Sequence, residues 1–248
     1  MWLINRWLLC LLLLSAGAID ACAEPPVLRL VADSWPPFSE QWLPNNGLAS
    51  DLVVQALGRA GYHSQYVETS WARALHGLER GDYDVLVNAW YSQERSRFGH
   101  FSAPYLHNRI RLLKRKGYPV SFTRIADLTP HRIAGVRGYA YHHELLEHPD
   151  IERVDVNNFV SALGMLNAER VELVMEDEQV IYHYLGPELN QLEGAFELVD
   201  KPLGVNGLHI LVSLQNPQHK EIVRGFEHAL EQMKQDGSYQ ATLQRHGL

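Results

Sequence analysis

Apolar positions in this chain fall into short runs separated by stretches with helical spacing, an alternation that repeats from residue 27 to the end. Residues 27–32 are almost continuously apolar and predict a buried strand. It stops at Asp33-Ser34-Trp35-Pro36-Pro37-Phe38, where two prolines hold the chain extended. Over 47–61, Leu48, Leu52, Val53, Ala56, Leu57 and Ala60 share one helical face, and Gly61 ends the helix. A strand over 62–67 leads through Glu68-Thr69-Ser70-Trp71 into a helix over 72–79, with Ser70 as its expected cap. The Gly81-Asp82 turn then opens an apolar strand at 85–87. Strands alternating with helices in this way predict an α/β protein.

The alternation continues after a strand at 109–115. Lys116-Gly117-Tyr118-Pro119 is a turn pattern and the expected first crossing between two domains. A strand at 131–136 runs into Arg137-Gly138-Tyr139-Ala140 and a helix to about residue 148, a strand–glycine–helix arrangement that can bind an anion. A strand at 151–156, a helix at 157–167 capped by Asn157 or Asn158, and a strand at 171–175 follow. Glu176-Asp177-Glu178 then opens a helix to about residue 185. A last strand of this domain at 196–199 precedes the second crossing at 200–204. The chain returns through a strand at 207–213 and helices at 217–235 and 238–245, with Phe226, Leu230 and Met233 spaced to pack on the first domain.

Residues 1–23 read as a secretory signal: Arg6 supplies the charge, 7–18 the apolar core and Ala21-Cys22-Ala23 the cleavage site, so the mature chain begins near Glu24 in the periplasm. The apolar run is short for a membrane span. A lipidated Cys22 is the competing reading, but Asp20 fits that pattern poorly. Removing Arg6 and Asp20 leaves the formal charge at −7, which argues against nucleic acid or anionic membrane as partners. Both cysteines lie in the signal, leaving neither disulfide nor thiol nucleophile. Roughly 225 residues suffice for two domains of about 100 residues each, held by their own cores.

The chemistry concentrates in residues 81–105, G-D-Y-D-V-L-V-N-A-W-Y-S-Q-E-R-S-R-F-G-H-F-S-A-P-Y. A buried strand there delivers Asn88, Trp90, Tyr91, Ser92 and Arg95 to its carboxyl end, where open α/β sheets bind ligands. Arg95 has the forked, permanent charge that grips a carboxylate through two hydrogen bonds, although an arginine in S-x-E-R can also be a helix-surface partner of Glu94. The succession G-x-Y-D, S-x-E-R, F-S-x-P-Y, with the opening W-P-P-F, the helix G-x-x-x-D-L-V-x-x-A-L and the closing K-x-D-G-S-Y, resembles the family-3 periplasmic solute-binding proteins over nearly the whole mature chain.

That resemblance implies the two-lobed periplasmic binding protein fold, type II-like, with two hinge crossings. Lobe 1 would comprise 24–115 and 206–248, and lobe 2 would comprise 116–205. It implies that Arg95 binds the ligand carboxylate, that Ser92 stands in for the usual threonine, that Trp35 and Phe38 form a pocket wall, and that Asp177 faces a ligand ammonium. For Trp35 and Phe38 packing at a domain edge is an equal alternative, for Asp33 a turn cap, and for Asp177 a helix-terminal acid favoured by the dipole. Trp71 occupies the same place in its strand–helix unit as Trp35 does in its own. Two departures bear on the ligand: Tyr139 replaces the small Ser or Thr after Gly138, and the spacing from Asp84 to Arg95 is one residue shorter. With so many aromatic residues at strand ends, the expected ligand is a zwitterionic or cationic amino-acid-like molecule with a sizeable side group.

The implied function is capture of a carboxylate-bearing small molecule by a monomer that closes about its hinge and serves an ABC permease, with no cofactor, metal or catalytic group. A sensor that hands its ligand to a signalling partner is the second reading. A dehydratase on the same fold is the third, and the thirteen histidines form no H-x-x-x-H motif to support metal chemistry.

Overall fold

The computed structural model describes residues 25–186 and 194–248, so the expected secretory segment 1–23, with Cys22, lies outside the described residues. The first lobe is built on β1 (Val27–Ala32), α1 (Leu48–Arg59), β2 (His63–Glu68), α2 (Trp71–Arg80) and β3 (Val85–Trp90). β1 lies between β2 and β3 and runs parallel to both. Parallel neighbours need a crossover helix, and α1 and α2 supply it. α1 buries Leu48, Leu52, Val53, Ala56 and Leu57, the positions with helical spacing. It packs against α6 (His219–Gln235), whose Phe226, Leu230 and Met233 are buried, and against α7 (Ser238–Arg245). Each of the larger of these side chains, Leu, Val, Phe and Met, contributes about 1.5–3 kcal/mol of transfer free energy.

The second lobe repeats the plan with β6 (Ile133–Val136), α3 (His143–Glu147), β7 (Arg153–Val156), α4 (Phe159–Asn167), β8 (Leu173–Asp177) and α5 (Glu178–Leu185). β6 lies between β7 and β8, parallel to both. α4 begins at Asn158, whose side chain accepts from Ser161 N at 2.9 Å. α3 is shorter than the spacing suggests and starts at His143, so no helix amino terminus stands at the Gly138 turn and the anion-binding arrangement expected there does not form.

Two long strands join the lobes: β5 (Leu106–Arg115) and β10 (Gly204–Ser213). They pair antiparallel over Leu106–Ile110 and Gly204–Leu208. From Ile110 onward β5 pairs with β8, and then with β9 (Phe196–Leu198), while β10 from Leu208 onward pairs with β3 and with β4 (Gly99–Phe101). The chain thus changes partners inside these strands, and the first change comes well ahead of the turn at 116–119.

β3 is longer than its apolar run and carries a bulge. His209 pairs with Ala89 and Leu211 with Leu86, so Ile210 alone stands opposite both Val87 and Asn88. The extra residue shifts the alternation of faces. Trp90 joins the cluster of Val85 and Val87, and Ala89 joins Leu86 on the other side.

Candidate functional site

Each three-stranded parallel unit has its point of topological reversal at the central strand, and the carboxyl ends around both points face one crevice. The first lobe brings Asp33 from the end of β1, Glu68 from β2, and Asn88 and Trp90 from β3. The second brings Gly138 and Tyr139 from beyond β6 and Glu176 and Asp177 from β8.

The wall of the first lobe is fixed by hydrogen bonds. The 35–39 turn closes as Phe38 N and Ser39 N donate to the Trp35 carbonyl, and it stacks Trp35 on Phe38 with centroids 4.5 Å apart. Trp90 meets Trp35 edge-on at 5.6 Å. Asn88 Nδ2 donates to Asp33 Oδ1 and to Ser39 Oγ, both at 2.9 Å. Trp90 Nε1 donates to Asn108 Oδ1 at 2.8 Å, and Asn108 Nδ2 donates to Asp177 Oδ2 at 3.1 Å, so the hinge strand links the lobes through one amide.

Arg95 opens a single 3-10 turn, Arg95–Arg97, and is only 5% exposed. Its Nη1 donates to the Trp90 carbonyl at 2.7 Å and its Nη2 to the Gly138 carbonyl at 2.6 Å. The guanidinium carbon lies 4.8 Å from the centre of the Trp71 ring. Among the described residues Arg95 makes no ion pair. Burial pulls its pKa down to about 10, opposed by the charge of Glu94, so it stays cationic at neutral pH. A buried cation satisfied only by neutral carbonyls retains a strong preference for an anion.

The acids opposite are also buried. Glu176 is fully buried, and its Oε1 accepts from Trp35 Nε1 at 3.1 Å and from Asp177 N at 2.8 Å. Its Oε2 has no hydrogen-bond partner among the described residues. Burial pushes Glu176 up to about 8 against the pull of these bonds, with the charges of Asp177 and Asp33 adding to the rise. Burial likewise raises Asp33, and it raises Asp177 to about 6. Asp177 is the cap of α5, accepting from Gln179 N at 2.8 Å and Val180 N at 3.2 Å. With Asn108 also bound, Asp177 serves its helix and the hinge, and Glu176 is the acid with a free oxygen.

Tyr139 crosses the crevice. Its hydroxyl donates to Asp33 Oδ2 at 2.6 Å, and Trp35, Trp71 and Trp90 approach its ring edge-on at 6.4, 5.2 and 5.5 Å. Burial, reinforced by the charge of Asp33, keeps the phenol protonated. The space left among Trp35, Trp71, Asn88, Trp90, Arg95 and Tyr139 is about 10 Å³. Larger chambers flank it. One of about 290 Å³ is lined by Asp33, Glu68, Trp71, Tyr139, Glu176 and Tyr184, and one of about 510 Å³ by His76, Ser92, Arg95, Gly138, Tyr139 and Arg153.

The structure therefore brings Trp35, Phe38, Trp71, Asn88, Trp90, Arg95, Tyr139 and Asp177 together, with Ser92 at the rim of the larger chamber. Tyr91 stands apart: the β3 bulge turns it to the opposite face, where it is 59% exposed and packs on Phe101. Glu176, of the acids Glu176-Asp177-Glu178, is central, and so is Asn108, which did not stand out in the sequence. The acid inside the apolar run V-E-L-V-M-E-D was the available sign of Glu176. Asn108 showed no sign, because its importance depends on where the hinge strand crosses.

Residues 28–248 match the bacterial extracellular solute-binding proteins, family 3. A search of curated proteins finds no match. Among solved structures, a sensor domain of a histidine kinase with similarity to periplasmic binding proteins superposes with a TM-score of 0.78 at 19% identity, covering 90% of this chain and 97% of that one. A mutant of the arginine-binding protein from T. maritima gives 0.74 at 19%, covering 92% and 98%. The substrate-binding protein of an amino acid ABC transporter gives 0.73 at 18%, covering 89% and 99%.

Proposed function

Because the chain belongs to the bacterial extracellular solute-binding proteins of family 3, we propose that it captures an amino-acid-like, carboxylate-bearing small molecule between its lobes, in the periplasm, and presents it to an ABC importer. The observation that carries this reading is Arg95: a buried, forked cation at the carboxyl end of β3 whose hydrogen bonds, among the described residues, go to carbonyls alone. A ligand carboxylate would replace neutral acceptors by a charge-assisted, bidentate pair. Asp33 and Glu176 on the far side of the aromatic wall favour a cationic group on the same ligand. Ligand contacts to both lobes would select the closed state. The arginine-binding protein and the amino acid transporter component among the similar structures fit this class of ligand.

A thermal-shift screen of the purified protein against amino acids, opines, polyamines and small organic acids tests it, since a ligand of the folded state raises the melting temperature. A hit carrying a carboxylate, whose affinity falls in Arg95→Ala, is the expected result. Hits without a carboxylate, or an unchanged affinity in Arg95→Ala, would remove Arg95 from the site. A second reading, reception for a signalling partner, is favoured by the likeness to the kinase sensor domain. Uptake of the labelled hit by cells with and without the gene separates the two, because loss of uptake requires transport.

A further inference from the structure

Gly138 and Tyr139 span the crevice from one charged group of the opposite lobe to the other. At one end the Gly138 carbonyl accepts from Arg95 at 2.6 Å and from Trp71 Nε1 at 3.0 Å. At the other the Tyr139 hydroxyl donates to Asp33 at 2.6 Å. Three indoles hold the ring between them. The backbone here favours glycine, since Gly138 has φ +78°. Two adjacent residues thus present an acceptor, a flat ring and a donor to the groups of the binding site.

We propose that the Gly138–Tyr139 unit is an internal stand-in for the ligand, holding the lobes together in its absence, and that the ligand displacing it is an elongated zwitterion. Such a molecule has a carboxylate for Arg95, a flat middle for the indoles and a cationic donor for Asp33, spaced by about the length of a tyrosine side chain. This rests on the binding reading above and adds the shape of the ligand. Both end contacts of the stand-in involve a neutral partner, an amide carbonyl and a phenol. Both bonds are already charge-assisted from one side; a charged replacement adds an ion pair at each end, and at Arg95 a second, parallel hydrogen bond, and that gain drives displacement. The displaced ring has room in the chamber of about 510 Å³ beside Arg95, and the cationic end can extend into the acid-lined chamber of about 290 Å³. A small α-amino acid, with both charges on one carbon, cannot reach both ends.

Small-angle scattering and melting curves of the ligand-free protein, Tyr139→Ala and Tyr139→Phe test the stand-in without any natural ligand. The wild type is expected to be compact and Tyr139→Ala expanded. p-Cresol, which replaces the missing ring, should restore the compact envelope of Tyr139→Ala and raise its melting temperature while leaving the wild type unmoved. Tyr139→Phe keeps the ring and loses only the Asp33 bond, so it should be partly expanded; if Tyr139→Ala does not fold, this variant decides. Identical scattering of the variants and the wild type, or no response to p-cresol, overturns the stand-in. For the ligand, 4-(aminomethyl)benzoate should bind the wild type about tenfold or more tightly than glycine. Equal or reversed affinities overturn the elongated zwitterion. Failure of the binding reading is distinguishable: no carboxylate would then bind either protein, while the scattering and p-cresol results stand.

Discussion

Arg95 and Glu176 carry opposite consequences of burial. Arg95 keeps its charge and lacks an anion, so Arg95→Lys is expected to lose most of the binding of a carboxylate ligand, about 2–5 kcal/mol by calorimetry, because an ammonium cannot reproduce the fork. Glu176 instead holds its proton to about 8 in the folded chain, against 4.5 for an ordinary glutamate. Between those values the unfolded chain binds fewer protons than the folded one, so stability falls as pH rises through the window and levels off above 8. Glu176→Gln should flatten that fall, as melting curves at pH 5 and pH 8 would show. The place of Arg95 at the crevice was legible from S-x-E-R after a buried strand, and the places of Trp35, Trp71 and Trp90 from the strand ends on which they fall. The outward turn of Tyr91 was not legible, because nothing in V-L-V-N-A-W-Y announces a bulge, nor was the full burial of Glu176, which depends on Trp35 from the far end of the chain.

Among the elements, spacing of apolar residues located α1 and α6 to within a residue or two, since each has a long buried face. It overextended α3, which buries only Leu145. Two caps that look alike in sequence differ in the structure. Asp177 accepts two backbone N–H groups at the start of α5, whereas Ser70 precedes α2 without a cap bond and accepts from Arg73 Nε. Asp177→Ala is therefore expected to cost about 1–2 kcal/mol in urea unfolding, and Ser70→Ala to change little. The cap at Asp177 also fixes one end of the Trp90–Asn108–Asp177 link, so its loss should be felt at the hinge.

At the scale of the molecule, β5 and β10 belong to both lobes, and their crossing is tight. A Cβ on Gly207 would stand 2.9 Å from His209 Nε2 and from Pro104 Cβ, while one on Gly58 in α1 would meet nothing within 4 Å. Gly207→Ala should lower stability by about 1–3 kcal/mol and alter the scattering envelope, and Gly58→Ala should raise stability by about 0.5–1 kcal/mol without altering it. The two-lobed plan was legible because each lobe repeats strand, helix and strand. The place of crossing was not, because one unbroken strand serves both lobes and no turn marks the change. Two adjacent strands that cross side by side leave the lobes essentially one coordinate of relative motion, a rotation about the line where they pass. A protein docking on the outside would receive a single yes-or-no message, and two chemically different guests that produced the same rotation would be synonyms to it.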